Sequence, residues 1–248
     1  MRGSTAAGRG FGHMAEATGP PRRDDCLMDT PRRPRREWPI AAGLILLALV
    51  PSIAGTFRIG EIASGATQTA ENARFMEVPL PVVLHIVGAL VYALVGAFQF
   101  LPGLRRRHVR WHRFAGRYLL VPAGLTVAAS GLWMTAFYDT PAIADGPVAV
   151  SRYVVGTLML AFILLGVAAI ARRDYFAHGS WMMRAYALAM GAGTQAFTAG
   201  VSMAFLGEPT AFEHALQLDA GWLINALVAE WVIARRRART RRPATIAV

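Results

Sequence analysis

The sequence predicts an all-α integral membrane bundle of six transmembrane helices with both termini cytoplasmic. Three observations predict it. Hydrophobic residues make up 54% of the 248-residue chain and charged residues only 17%, an unusual balance for a soluble domain. Six apolar segments each approach the roughly 20 residues that a bilayer core about 30 Å thick requires. The arginines sort almost entirely to alternate loops.

The sorting sets the orientation. All 26 basic residues are Arg, and 23 of them fall on one side when the loops are numbered from the N-terminus. They lie in the N-terminal tail, in the loop carrying Arg105, Arg106, Arg107, Arg110, Arg113 and Arg117, around Arg172, Arg173 and Arg184, and in the C-terminal tail from Arg235 to Arg242. The other side holds only Arg58, Arg74 and Arg152, beside Glu61, Glu71, Glu77, Asp139, Asp145, Glu208, Glu213 and Asp219. Positively charged loops stay in the cytoplasm. The net charge of +11 therefore does not point to nucleic acid, whose footprint clusters on one folded face. Attraction to the bilayer and to anionic lipid headgroups accounts for it.

Residues 1–37 form a basic tail rich in Gly, Pro and Arg, and such composition predicts disorder. Met14 and Met28 are alternative starts, and the opening Met1-Arg2-Gly3-Ser4 resembles an expression leader, so His13 carries no functional weight. The transmembrane domain runs over residues 38–234 and a basic tail over 235–248. Its first span is Trp38–Phe57, with Pro51 expected to kink it. Ser52-Ile53-Ala54 offers a rival reading of that span as a cleaved signal, against which stands the length of the apolar run. An acidic loop over 58–77, with room for a short helix, leads to span two, Val78–Leu101. Span three is Tyr118–Tyr138 and span four is Tyr153–Ala171, separated by an irregular loop with Pro141, Gly146 and Pro147. Span five, Trp181–Leu206, carries Ala187, Gly191, Gly193 and Gly200, small residues that favour close helix packing. Span six is Leu216–Ala234. Cys26 is the only cysteine, which excludes an internal disulfide.

A weak internal echo repeats at offsets of 66 to 68 residues: Arg105-Arg106, His112, Arg117 and Tyr118 against Arg172-Arg173, His178, Arg184 and Tyr186. It reads as a duplicated helical hairpin or as the common look of positively charged loops.

Four motifs carry a family resemblance. Span two reads His85-Ile86-Val87-Gly88-Ala89 and ends Gly96-Ala97-Phe98-Gln99-Phe100. The next loop reads His112-Arg113-Phe114-Ala115-Gly116-Arg117-Tyr118. Span five is preceded by His178-Gly179-Ser180, followed by Trp181-Met182-Met183-Arg184-Ala185-Tyr186. Span six has Trp222-Leu223-Ile224-Asn225, then Ala229-Glu230-Trp231. Together they resemble the multi-pass membrane proteins of domain of unknown function 2306, over about residues 40–235. The resemblance implies a helical membrane bundle without an assigned activity. It also implies an Arg late in span five, where this chain has Gln195-Ala196, a departure that counts against anion binding by that helix.

Ionisable groups inside a membrane are functional candidates by default. His85 lies about 10 Å along span two at 1.5 Å per residue. Glu230 lies near the inner end of span six, where it could handle a proton or pair with Arg117 or Arg184. Asn225 lies mid-span and suits interhelical hydrogen bonding more than ligation. His112, Arg113, Arg117, His178 and Arg184 are candidates for a basic cytoplasmic pocket, since arginine clusters bind phosphates and anionic headgroups. Their bland reading is a solvated positive loop. His112 and His178 are also the haem-ligand candidates, because two facing histidines can hold a haem b iron; no other metal ligands stand out.

These residues support two functions of different class: a transporter or lipid- or small-molecule-binding protein with a polar site at His85, Asn225 and Glu230, or a b-type haem protein of membrane electron transfer. A membrane accessory protein without turnover is a third. His-x-x-Glu-His, Gly-x-Ser-x-Gly and phosphate-loop patterns are absent, which weighs against hydrolase chemistry. Oligomeric state is left open, and a cytoplasmic (inner) membrane is the expected location.

Overall fold

The computed structural model describes residues 38–139 and 146–241. The tail expected to be disordered, the middle of the expected irregular loop and the end of the C-terminal tail lie outside the described residues.

Five helices are long and apolar enough to cross a bilayer. They are Trp38–Ser64, Pro79–Gln99, Val109–Phe137, Pro147–Ala171 and Ala211–Thr240. The elements run α1 (Trp38–Ser64), α2 (Ala73–Glu77), α3 (Pro79–Gln99), α4 (Pro102–Arg107), α5 (Val109–Phe114), a π-helical segment (Ala115–Leu120), α6 (Val121–Phe137), α7 (Pro147–Ala171), α8 (Tyr175–Ala189), α9 (Gly191–Leu206) and α10 (Ala211–Arg241). No strand occurs among the described residues. Large apolar side chains cover the outside: Phe57 is 72% exposed and Phe205 83%. Water would penalise that surface, whereas lipid solvates it.

The helix ends follow from local chemistry. Proline stands in the first turn of α3, α4, α6 and α7, where its missing N–H costs nothing. Pro122 also explains the π-helical segment. It cannot donate to the carbonyl four residues back, and the Val121 N–H bonds instead to Gly116 O, five back. The acidic loop holds the short helix α2, preceded by a turn in which buried Asn72 accepts from the Thr69 N–H and donates to Thr67 O. Only three residues separate α7 from α8. Arg173 takes a left-handed φ of 61° there, and Asp174 caps α8 by accepting from the Ala177 N–H at 2.9 Å.

The expected fifth span is not one helix. It begins earlier, at Tyr175, and breaks at Met190 into α8 and α9, neither long enough alone to count as a span. The run Gly191-Ala192-Gly193 supplies the weakness, since glycine costs about 1 kcal/mol in a helix interior. Packing exploits the bare backbone. A Cβ on Gly193 would collide with the Leu47 carbonyl of α1, and one on Gly191 with the Trp222 indole of α10. Of the carbonyls that the break frees, Ala187 O accepts from Asn225 Nδ2 at 3.2 Å. That compensation is what a broken helix within a membrane requires.

The core sits among α3, α6, α7 and α8, around Tyr92, Leu120, Val127, Met159, Ile163, Tyr186 and Leu188. The Tyr186 ring packs against Phe100 and Tyr92 with centroids 4.8 and 5.8 Å away, and its hydroxyl donates to Ala93 O at 2.7 Å. Arginine-bearing ends gather at one end of the bundle. Arg236 of α10 lies against Gly179 of α8, and Arg105 of α4 lies within electrostatic reach of both Arg236 and His112.

Candidate functional site

At the arginine-rich end the bundle gathers basic side chains from four elements near one imidazole and its arginine neighbour. His112 on α5 is half-buried, and its Nδ1 is buried without a hydrogen-bond partner. Arg105 of α4, His178 of α8 and the adjacent Arg113 lie within its electrostatic reach, and Arg236 of α10 within that of Arg105. None of these five residues is paired with a carboxylate among the described residues. An orphaned buried polar atom costs on the order of 1–3 kcal/mol, which a ligand that pairs with it would recover.

His178 is oriented from below. Its Nδ1 lies 2.9 Å from Gly166 O of α7. A carbonyl only accepts, so Nδ1 carries a proton and donates, and Nε2 is not part of that bond. Gly166 is where α7 admits α8: a Cβ there would strike the Met182 side chain.

Arg184 and Glu230 form a second cluster on α8 and α10. The guanidinium donates through Nε and Nη2 to the two carboxylate oxygens at 2.5 and 2.9 Å and stacks over Trp181 at 4.6 Å. With Ile233, Ala234, Arg237 and Ala238 the pair lines a shallow hollow of about 330 Å³. Of the two partners considered for Glu230, the structure takes Arg184. Arg117 instead lies exposed over the neighbouring Tyr118 ring.

His85 and Asn225 lie elsewhere. His85 Nδ1 is 3.1 Å from both Val127 O and Ser130 Oγ of α6. The Ser130 hydroxyl donates to Thr126 O at 2.5 Å, so it accepts from His85, and Nε2 of His85 is left as the free acceptor. Asn225 bridges the helix break, accepting from Thr194 Oγ1 at 2.9 Å while donating to Ala187 O. His85 is about 10 Å along α3 and Glu230 about 28 Å along α10, counted from helix starts at the same end of the bundle. No hydrogen bond or ion pair joins His85, Asn225 and Glu230, so the structure does not assemble them into one polar site.

Sequence reasoning read Arg105 as a solvated loop residue, placed Gln99 in a polar interior with His85, and passed over Arg236. Arg236 was assigned to a basic tail, yet α10 continues to Arg241. The signal was the period: Ala229, Ile233 and Arg236 fall at i, i+4 and i+7 on one helix face, and the first two are buried. Gln99, at the arginine-rich end of α3, has a buried Nε2 without a partner. It lies one turn beyond Gly96, where a Cβ would strike Tyr186. No group of three or more His, Cys, Asp or Glu suited to a metal ion occurs among the described residues.

No curated protein and no solved structure matches the chain. Residues 82–233 match the family described as "Predicted membrane protein (DUF2306)". That stretch runs from the first turn of α3 into the last third of α10 and contains His85, His112, His178, Arg184, Asn225 and Glu230. The chain is a multi-pass membrane protein and belongs to the DUF2306 family.

Proposed function

We propose that this protein lies in the cytoplasmic membrane and binds a phosphate- or carboxylate-bearing ligand, a lipid headgroup or a small molecule, in the basic pocket around His112. In this reading α8 and α9 cross together as a sixth, broken span. Their 31 residues reach about 46 Å at 1.5 Å per residue, and the arginine-rich end with both termini is cytoplasmic. The observation that carries the proposal is the unpartnered Nδ1 of His112, with Arg105, Arg113 and His178 within its electrostatic reach, Arg236 within that of Arg105, and none of them paired with a carboxylate among the described residues. Binding is favoured over transport because the polar groups sit at separate levels. Asn225 is engaged by protein partners, and Glu230 is neutralised by Arg184.

The test is ligand-dependent thermal stability of the detergent-purified chain. Anionic lipid or an organic phosphate raises the melting temperature of the wild type, and His112→Ala or Arg105→Gln/Arg236→Gln removes most of that rise. An equal rise in wild type and variants ends the proposal.

One observation favours haem b as the second reading. His112 and His178 are within electrostatic reach of each other, and His178 donates Nδ1–H to a backbone carbonyl, as haem- and metal-ligating histidines do. Oxidised and dithionite-reduced absorbance spectra decide it. A Soret band lost in His178→Ala selects haem, and a colourless preparation from haem-supplied cells rejects it.

A further inference from the structure

The three arginines of the opposite end do not scatter over it. Arg58 comes from α1, Arg74 from α2 and Arg152 from the second turn of α7. The guanidiniums of Arg58 and Arg74 share one aromatic ring, lying 4.7 and 4.6 Å from the Phe75 centroid. Arg152 is half-buried within electrostatic reach of Arg74. Tyr138 closes the cluster: its ring meets Phe75 edge-on at 5.5 Å and its hydroxyl is anchored on Val78 O at 2.6 Å.

Among the described residues, only one of these three arginines is paired with a carboxylate. Arg58 has a carboxylate, Glu61, at 2.6 Å. Arg74 donates to the neutral Asp139 carbonyl at 3.3 Å, its one hydrogen-bond acceptor among the described residues. Arg152 has no acceptor among the described residues, although half-burial removes part of its water. Arginines are disfavoured on this side of a membrane, and bringing all three together adds mutual repulsion. A planar guanidinium cluster on an aromatic base suits the oxygens of a phosphate, which accept paired N–H donors.

We propose that Arg58, Arg74 and Arg152, on the floor made by Phe75 and Tyr138, bind a phosphate group at the arginine-poor surface of the membrane. The phosphate belongs to a lipid headgroup or to a soluble anion. This site is separate from the His112 pocket and does not rest on it.

The test uses the full-length protein in detergent, with titrated phosphatidylglycerol read by native mass spectrometry and inorganic phosphate read by thermal shift. The Arg74→Gln/Arg152→Gln variant is expected to hold phosphatidylglycerol at least about tenfold more weakly, the loss of one charge-assisted hydrogen bond. Arg107→Gln, an exposed arginine of α4 at the other end of the bundle, is expected to leave that binding component unchanged. Protection by inorganic phosphate that vanishes in the same double variant supports the site and names a soluble ligand. Loss of lipid binding without a phosphate response supports the site and names a headgroup. Equal binding of both probes to wild type and double variant overturns it. If the double variant elutes aggregated, photoreactive phosphatidylglycerol on the wild type decides: crosslinks at residues 58–75 and 138–152 support the site, and crosslinks confined to other segments overturn it.

Discussion

Around Tyr186, helices α3, α6, α7 and α8 meet through carbon: Tyr92, Phe100, Ile163 and Met182 interlock there, and one phenol finds one carbonyl. Between α9 and α10 the contacts are polar. Thr194 reaches Asn225, Gln195 reaches Leu218 O, Thr198 reaches Gln217 O, and Gln217 reaches Ser202. Lipid tails are as apolar as leucine, so burial from water joins neither pair of surfaces once both are in the membrane. The first region gains from dispersion in close contact. The second gains from hydrogen bonds whose loss would strand polar groups in hydrocarbon. Each half therefore fails under a different substitution.

The largest expected effect lies in the carbon half. Tyr186→Ala empties a site that is 6% exposed and should cost about 3–5 kcal/mol in a reversible detergent-unfolding titration. Tyr186→Phe, which removes only the hydroxyl's bond to the helical Ala93 carbonyl, should cost about 0.5–1.5 kcal/mol. Equal losses would assign the region to its hydrogen bond rather than its packing.

Next comes the seam where the halves touch α1. Gly193→Val drives a side chain into the Leu47 carbonyl, and rigid backbone cannot yield as a side-chain tip can. The expected cost is about 2–3 kcal/mol, whereas Gly200→Ala, inside α9 and facing open space, should stabilise by about 0.5–1 kcal/mol. Limited proteolysis of the α8–α9 junction reports the same loosening directly.

In the polar half a double-mutant cycle on Thr194→Val and Asn225→Leu should return a coupling of only about 0.6 kcal/mol. A coupling above about 2 kcal/mol would make Asn225 a keystone of the break rather than one bond in a series. The smallest effect lies outside both halves. Arg173 holds a left-handed φ, and Arg173→Gly should stabilise by about 0.5–1 kcal/mol while leaving the unfolding pathway unchanged. A loss instead would show that the Arg173 side chain contributes more than its backbone costs.

Particular residues show how far the sequence could be read. Span two was legible to within two residues because Pro79 starts α3 and its apolar run stops at Gln99. Span six was placed correctly at its centre but stopped short at Ala234, because hydropathy ends where the arginines begin and the helix does not. Arg152 was placed in a loop for the same reason and lies inside α7. The short helix in the acidic loop was anticipated, and α2 occupies part of it. The break at Met190 was not anticipated. Its glycines were read as packing positions, which they are, but a glycine run does not say whether backbone or side chain will press against it.

Sequence alone determined that the chain is helical and belongs in a membrane, which end of the bundle collects charge, and which residues are costly enough in lipid to be suspects. Those properties are local: apolar length, proline position and the count of arginines per loop depend on no partner. Only the tertiary structure decided that Glu230 takes Arg184, that His112 comes within electrostatic reach of His178 and Arg105, and that Arg58 and Arg74 share one aromatic ring with Arg152 within electrostatic reach of Arg74. Residues 16 and 78 positions apart meet because separate helices share an end of the bundle, and helix order and rotation are set by side-chain packing that no one-dimensional pattern records.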